Sequence, residues 1–276
     1  MEWITFGTSV IGASHIKKAI PNEDAINFGD LPPFVAVSDG HGGKKYIRSS
    51  KGSALAVAAL EQVLKEGVLL HTGLTDLNEH IRHIKSRFLF NWQSSVDENL
   101  KDEPFTEDEY IFLHENCSEN ERKGLENNPR LAFGCTFLAC IAYEDMVLLL
   151  QHGDGDIVCL YGEEATDIME ADGRNFAGST LSLGSLKDAN KIAHCVLSQE
   201  KIPDLVAIST DGIKNSYDDT DPNSISQFYK IPIVIKNAVE KERSIEEITK
   251  DIVKLLERIT TNGSGDDVTL GILCKL

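Results

Sequence analysis

The chain has 276 residues, 41% of them hydrophobic and 26% charged, and a net charge of −17 from 27 basic and 44 acidic residues. That is ordinary globular composition, with length enough to bury a real core without covalent staples. The acidic balance argues against a nucleic-acid or anionic-membrane surface, each of which requires a basic footprint.

In chain order, Trp3 to Val10 alternates as a strand, and Phe34 to Ser38 is a short apolar run of the kind a sheet buries on both faces. From Ser50 the apolar residues recur at three and four, which predicts a helix stopped by Gly67. Leu74 to Leu100 keeps helical spacing through Leu77, Ile81, Ile84, Phe88 and Trp92, and Thr106 to Glu109 fits a capping box that opens a third helix. Cys117 to Arg130 is polar and contains Asn127-Asn128-Pro129, which predicts a loop. Strands are predicted over Phe133 to Tyr143, Met146 to His152 and Ile157 to Tyr161. Glu163 to Ala189 is dotted with glycine and weakly patterned, which predicts a mobile loop or flap. Ile192 to Ser198 and Leu205 to Ser209 are strands again. Ser224 to Glu240 is helical despite Pro232, Ser244 to Glu247 caps a further helix running toward Ile259, and Val268 to Cys274 is a last strand. Helices fall in two blocks between groups of strands, which predicts an α+β layered fold with antiparallel sheets. No repeat or linker is evident, so the expectation is one domain over residues 1–276.

None of the six cysteines is spaced as Cys-x-x-Cys, and most sit in apolar runs. They read as buried free thiols in a reducing compartment. There is no basic-then-apolar leader and no apolar run approaching about 18 residues, so the expectation is a cytoplasmic protein without a membrane span.

The acidic residues are placed with more purpose. Glu23-Asp24, Asp39-Gly40, Asp154 in His-Gly-Asp-Gly-Asp, Asp211-Gly212 and Asp266-Asp267 all sit at ends of apolar strands. Any single Asp-Gly pair is explained as a turn in which glycine takes positive φ. Five such points ask for more. If the strands pack as sheets, their ends converge, and converged carboxylates repel one another unless cations neutralise them. Oxygen donors suit hard ions such as Mg²⁺, Mn²⁺ or Ca²⁺. Other features read as structural. His80 and His83 are taken as an exposed helix face, Phe88 and Trp92 as core, and Asp97 to Glu126 as solvated surface. Lys44 and Lys45 are two cations near a turn, placed to greet an anionic substrate but weak evidence alone.

The stretches Asn-Glu-Asp-Ala from Asn22, Ser-Asp-Gly-His-Gly-Gly from Ser38, Phe133 to Tyr161, Leu-Val-Ala-Ile-Ser-Thr-Asp-Gly-Ile from Leu205 and Ser-Gly-Asp-Asp-Val-Thr-Leu from Ser264 occur in an order that resembles the metal-dependent PP2C-type (PPM) protein phosphatases. The opening Gly12 to Ala25 resembles a bacterial branch of that family. The resemblance implies an α-β-β-α sandwich of two antiparallel sheets flanked by helices, with a helical insertion at about 74–130 and a flap at about 163–190. It implies a serine/threonine protein phosphatase that uses two Mn²⁺ or Mg²⁺ ions. Asp39 matches the carboxylate bridging the metals, and Gly40 a carbonyl ligand. Asp211 and Asp266 match further carboxylate ligands. Glu23 and Asp24 match the pair holding metal-bound water, Asp154 a ligand of a weaker third metal, and His41 a general acid. The alternative for His41 is a residue that orients a water. Phosphorylated proteins and a serine/threonine kinase are the implied partners. A small-metabolite phosphatase and a non-catalytic phosphopeptide-binding module are the rival readings. Three positions depart from the family. Ala19 stands where an arginine usually holds phosphate, with His15, Lys17 and Lys18 the candidates to replace it and His15 preferred. Asp267 replaces an asparagine, and Asn215 replaces a third-metal aspartate.

Overall fold

Strand alternation decides the layering. The computed structural model describes residues 1–67, 77–143, 145–169 and 181–276. In β3 (Pro33–Ser38), Val35 and Val37 pack in one apolar cluster while Phe34 and Ala36 pack in another. In β4 (Phe137–Ala142), Leu138 and Cys140 join the first cluster, and Phe137, Ala139 and Ile141 the second. Both faces of such strands are therefore buried, one against a second sheet and one against helices, as the short continuous apolar runs require.

One sheet runs β1 (Trp3–Val10), β10 (Val268–Lys275), β9 (Leu205–Ser209), β6 (Asp156–Tyr161), β7 (Glu164–Asp167). The other runs β2 (Ala25–Asp30), β3, β4, β5 (Met146–His152), β8 (Ala193–Ser198). Every pairing is antiparallel. Val35, Val37, Leu138, Leu149, Ile157, Val206, Ile208 and Leu273 fill the space between the sheets. α2 (Ser49–Lys65) and α3 (Leu77–Asp102) cover one outer face through Leu60, Phe88 and Trp92. α6 (Pro222–Glu240) and α7 (Ile245–Asn262) cover the other through Ile231, Ile252 and Leu256. The fold is the α-β-β-α sandwich expected from the sequence.

Register places the strand ends. Ala25 pairs with Ser38, Val37 with Leu138, Phe137 with His152, Asp156 with Ser209, and Ser209 with Leu270. The ends preceding or following these residues therefore gather at one rim of the sandwich. The acidic residues occupy those ends.

Three expectations are corrected. Cys117 to Arg130 is not a loop. It holds the helix α5 (Glu119–Asn127), opened by a capping box between Ser118 and Glu121 and anchored by buried Leu125, and then a 3₁₀ turn from Pro129 to Phe133. Serine followed three residues later by glutamate is a capping signal that polar composition masked. For the same reason β4 begins at Phe137 and not at Phe133. His80 is buried on α3 and only His83 is exposed. Residues 68–76 and 170–180, where the start of the predicted helix and much of the predicted flap fall, lie outside the described residues. The described remainder of the flap contains β7, a 3₁₀ turn at Leu183–Ser185 with Leu183 buried, and another at Ala189–Lys191.

α4 (Glu107–Asn116) and α5 extend the α2–α3 layer. Arg48, buried at the start of α2, binds α4 and the segment before it. Its guanidinium donates to both Glu109 carboxylate oxygens at 2.8 Å and to the Glu103 and Pro104 carbonyls at 2.6 and 3.0 Å, with its face 4.8 Å from the Phe105 ring centre. The next residue, Ser49, belongs to the rim described below.

Candidate metal centre

β3 ends at Ser38, and Asp39 follows with its backbone fixed on both sides. The Asp39 N–H donates to Thr136 Oγ1 at 2.9 Å, the Thr136 N–H donates to the Asp39 carbonyl at 2.8 Å, and Ser38 Oγ donates to the Thr136 carbonyl at 2.6 Å. The carboxyl is delivered into a cleft of about 570 Å³ lined also by His15, Lys18, Glu23, Gly40, His41, Tyr46, Asp154, Asp211, Asp266 and Asp267. The cleft thus collects five acidic points that lie far apart in sequence. Asp24 stands behind it, not on its wall, and Lys17 is exposed outside its lining.

The glycines after the aspartates have a reason other than the one the sequence suggested. Gly40, Gly155 and Gly212 do not take positive φ. A Cβ at Gly40 would meet the Glu23 carbonyl at 2.7 Å, one at Gly155 the Ser209 carbonyl at 2.4 Å, and one at Gly212 the Asp267 carbonyl at 2.2 Å. Each Asp-Gly pair therefore lets one acidic loop press against the backbone of another. Close approach, and not turn geometry, fixes these positions.

The electrostatics follow from that crowding. Asp39 is pushed well above the ordinary carboxyl range, first by burial and then by Asp24, Asp211 and Asp266. Asp211 is raised to about 6 by burial and by Asp154, and its carboxyl lies within hydrogen-bonding reach of that of Asp39. Asp24 is raised to about 8 by burial, although the hydroxyls of Thr269 and Thr210 donate to its Oδ2 at 2.6 and 2.8 Å. Glu23 is raised by burial, against the hydrogen bond it accepts from Ser49. Its backbone is held as well, with its carbonyl accepting from Gly40 N–H at 3.1 Å and Ser53 Oγ at 2.5 Å.

Carboxyls forced together against their mutual repulsion are the arrangement a divalent cation relieves. The donors are all oxygen, the preference of Mg²⁺ and Mn²⁺. Among the described residues no three His, Cys, Asp or Glu side chains already form a closed cage. The fit rests on the Asp39–Asp211 contact, on Asp266 and Glu23 across the cleft, and on the water that such ions retain.

His41 lines the cleft with its ring 4.8 Å from that of Tyr46. Its buried Nε2 has no hydrogen-bond partner, and burial lowers its pKa to about 4 against the raising effect of Asp154. Asn215 donates to Asp211 Oδ2 at 2.9 Å, so at this departure from the family the side chain steadies a carboxylate. The six cysteines are free, and burial pushes Cys135, next to this rim, up to about 12, which excludes a thiolate nucleophile at neutral pH.

One departure from the family, Asp267, meets the preferred replacement for the arginine, His15, in one hydrogen bond. His15 Nδ1 lies 3.0 Å from Asp267 Oδ2, and the buried Asp267 also accepts the N–H groups of Gly12 and Glu23 at 2.6 Å each. Asp267 keeps a proton on Nδ1 and turns Nε2 toward Glu23 and Asp266, at 3.9 and 3.8 Å. Sequence reading noted both residues and missed their pairing, because they are 252 positions apart. Ala19, at the arginine position, is the exposed left-handed residue ending α1 (Ala13–Lys18). Replacing Asp267 with Ala leaves three donors without their acceptor and should lower stability by about 3 kcal/mol in urea unfolding, whereas Asp267→Asn, which keeps one of the two accepting oxygens, should cost less, about 1–2 kcal/mol.

Comparison with known proteins agrees with this fold. A family model described as Protein phosphatase 2C matches residues 11–257. PppA, a key regulatory component of T6SS in Pseudomonas aeruginosa, superposes with a TM-score of 0.62 at 16% identity over 100% of this chain and 99% of its own. The serine/threonine phosphatase PstP/Ppp of Mycobacterium tuberculosis gives 0.57 at 15% identity over 99% of each chain. A PstP catalytic domain in complex with 2 manganese ions gives 0.57 at 16% identity over 99% of this chain and 97% of its own. No curated protein sequence matches the chain. With the family model spanning most of its length, the chain belongs to the protein phosphatase 2C family, the metal-dependent serine/threonine phosphoprotein phosphatases.

Proposed function

We propose that the acidic rim is the catalytic centre and that its residues divide the work as follows. Asp39, Gly40 through its carbonyl, Asp211, Asp266 and Glu23 hold two Mn²⁺ or Mg²⁺ ions, and Asp24 supports them from behind. Asp154 serves a weaker third ion. Bound there, the ions lower the pKa of an attacking water and neutralise the phosphoryl oxygens. The observation that carries this reading is the contact between Asp39 and Asp211, both raised by burial and by neighbouring carboxylates.

The chain's own residues do the rest. Ser49, Ser53 and Thr136 fix Glu23 and Asp39, so the carboxylates need not reorganise when the phosphate arrives. His15, oriented by Asp267, and Lys18 on the cleft wall take the phosphate contacts of the missing arginine, with Lys17 at longer range. His41 serves the departing serine or threonine oxygen. Burial holds its ring neutral, so it gives a single N–H as a hydrogen bond. A dianionic phosphate beside it raises its pKa, which populates the imidazolium that can give a proton to the departing oxygen and return to the neutral ring.

Residues 1–276 work as one catalytic unit, in which α3 to α5 form the insertion and residues 163–190 the flap that shapes substrate choice. Phosphorylated proteins, and a serine/threonine kinase acting on the same substrates, are its partners. Among the described residues no helix is long and apolar enough to cross a membrane, and free buried thiols are consistent with work in the cytoplasm.

Phosphate release from a phosphopeptide panel, free phosphoserine and sugar phosphates, each with Mn²⁺ and with EDTA, tests the reading. Metal-dependent release strongest on peptides supports it. Preference for the free small phosphates moves the protein to metabolite hydrolysis, and Mn²⁺ binding without release from any of them makes it a binding module.

A further inference from the structure

We propose that Lys44 and Lys45 dock acidic side chains close to the phosphorylated residue of the protein substrate. This deepens the phosphatase reading and rests on it. Gly42 and Tyr46 line the cleft, so the two lysines between them stand at its mouth. Lys44 is exposed and Lys45 half-buried. Among the described residues neither joins an ion pair with a carboxylate. Their ammonium groups rest on aromatic faces instead, Lys44 Nζ 5.7 Å from the Phe112 ring centre and Lys45 Nζ 4.9 Å from that of Tyr46. A ring positions a cation without neutralising it.

The neighbouring helices compensate this charge only in part. Arg122 of α5 donates to the His114 and Cys117 carbonyls at 3.1 and 2.6 Å, so it adds a further cation. Glu121, the α5 carboxylate whose charge Lys45 feels, is engaged by the Ser118 N–H at 2.9 Å in its capping box. On a chain of net charge −17, an unpaired cationic strip beside an acidic cleft is against the trend. Phe112 of α4, which carries the Lys44 ammonium, is itself 39% exposed. Lys44 is three steps along the chain from His41, at most about 11 Å when extended. The strip is therefore within reach of side chains one to three positions from the phosphorylated residue, and its charge fits an acidic sequence.

The test compares phosphothreonine peptides carrying aspartate or lysine within three positions of the phosphothreonine, on the wild type and on Lys44→Glu/Lys45→Glu. In low salt the wild type should favour the acidic peptide by about twofold to tenfold in kcat/KM, the range two exposed ion pairs supply. High salt should shrink the preference. The variant should reverse the order, and its gain on the basic peptide shows that it is folded and active. A wild type indifferent to the flanks, or a variant with unchanged preference, overturns the docking strip. A wild type that releases no phosphate from any peptide overturns the phosphatase reading and this inference with it.

Discussion

Asp39→Asn should silence the enzyme and yet give a more stable metal-free protein. The carboxyl sits against Asp211, with Asp24 and Asp266 close by, and a charge on it is opposed by burial and by all three. An amide keeps the size and the Thr136 contacts of the backbone but carries no charge. Metal-dependent phosphate release should fall by at least about 10²- to 10³-fold, the scale of losing one electrostatic contact to the transition state. In EDTA at pH 8 the variant should melt several degrees above the wild type, since about 1 kcal/mol moves the melting temperature of a chain this size by roughly 2–4 °C. At pH 4, where the wild-type carboxyl is protonated too, the difference should vanish. Loss of activity with an equal loss of metal-free stability would instead make Asp39 a structural residue.

The second large effect is on pH dependence. Asp24 and Asp211 have folded pKa values of about 8 and about 6, above the ordinary 3.8. A group whose folded pKa is raised binds its proton more tightly in the folded state. Its contribution to stability is fully present below pH 4 and is lost as pH rises through the folded value. Metal-free protein should therefore lose stability between about pH 4 and pH 8. Mn²⁺ should restore it most strongly at the upper end, by about 2.7 kcal/mol per site at a hundredfold excess over the dissociation constant. The net charge of −17 pushes the same way through general repulsion, so Asp24→Asn and Asp39→Asn supply the control. Each should flatten the decline in EDTA. A metal-free protein whose melting temperature rises from pH 5 to pH 8 would contradict the account.

The layering was legible because both periods are clean. Val35 and Val37 against Phe34 and Ala36 mark a strand covered on both faces, and Leu60, Phe88 and Trp92 mark helices with one apolar side. The acidic rim was legible because each carboxylate ends an apolar strand, and antiparallel register then leaves few places for those ends to go. What was not legible depends on contacts between distant residues. Asp267 gives no local sign that it orients His15, and Thr210 and Thr269 give none that they hold Asp24. Gly40, Gly155 and Gly212 looked like turn residues because Asp-Gly is a turn signal, whereas carbonyls from remote segments exclude a side chain there. α5 was missed for a different reason. Its charged composition hid a single capping serine and a single buried leucine, Ser118 and Leu125.

The claim on which the rest stands is that the Asp39 rim is a divalent metal centre. The most direct measurement is a Mn²⁺ titration of metal-free protein at neutral pH, following unbound Mn²⁺ by electron paramagnetic resonance, with Asp39→Asn alongside. The account predicts two tightly held ions per wild-type chain and loss of tight binding in the variant. No tight binding to the wild type, or the same binding in both proteins, would contradict it.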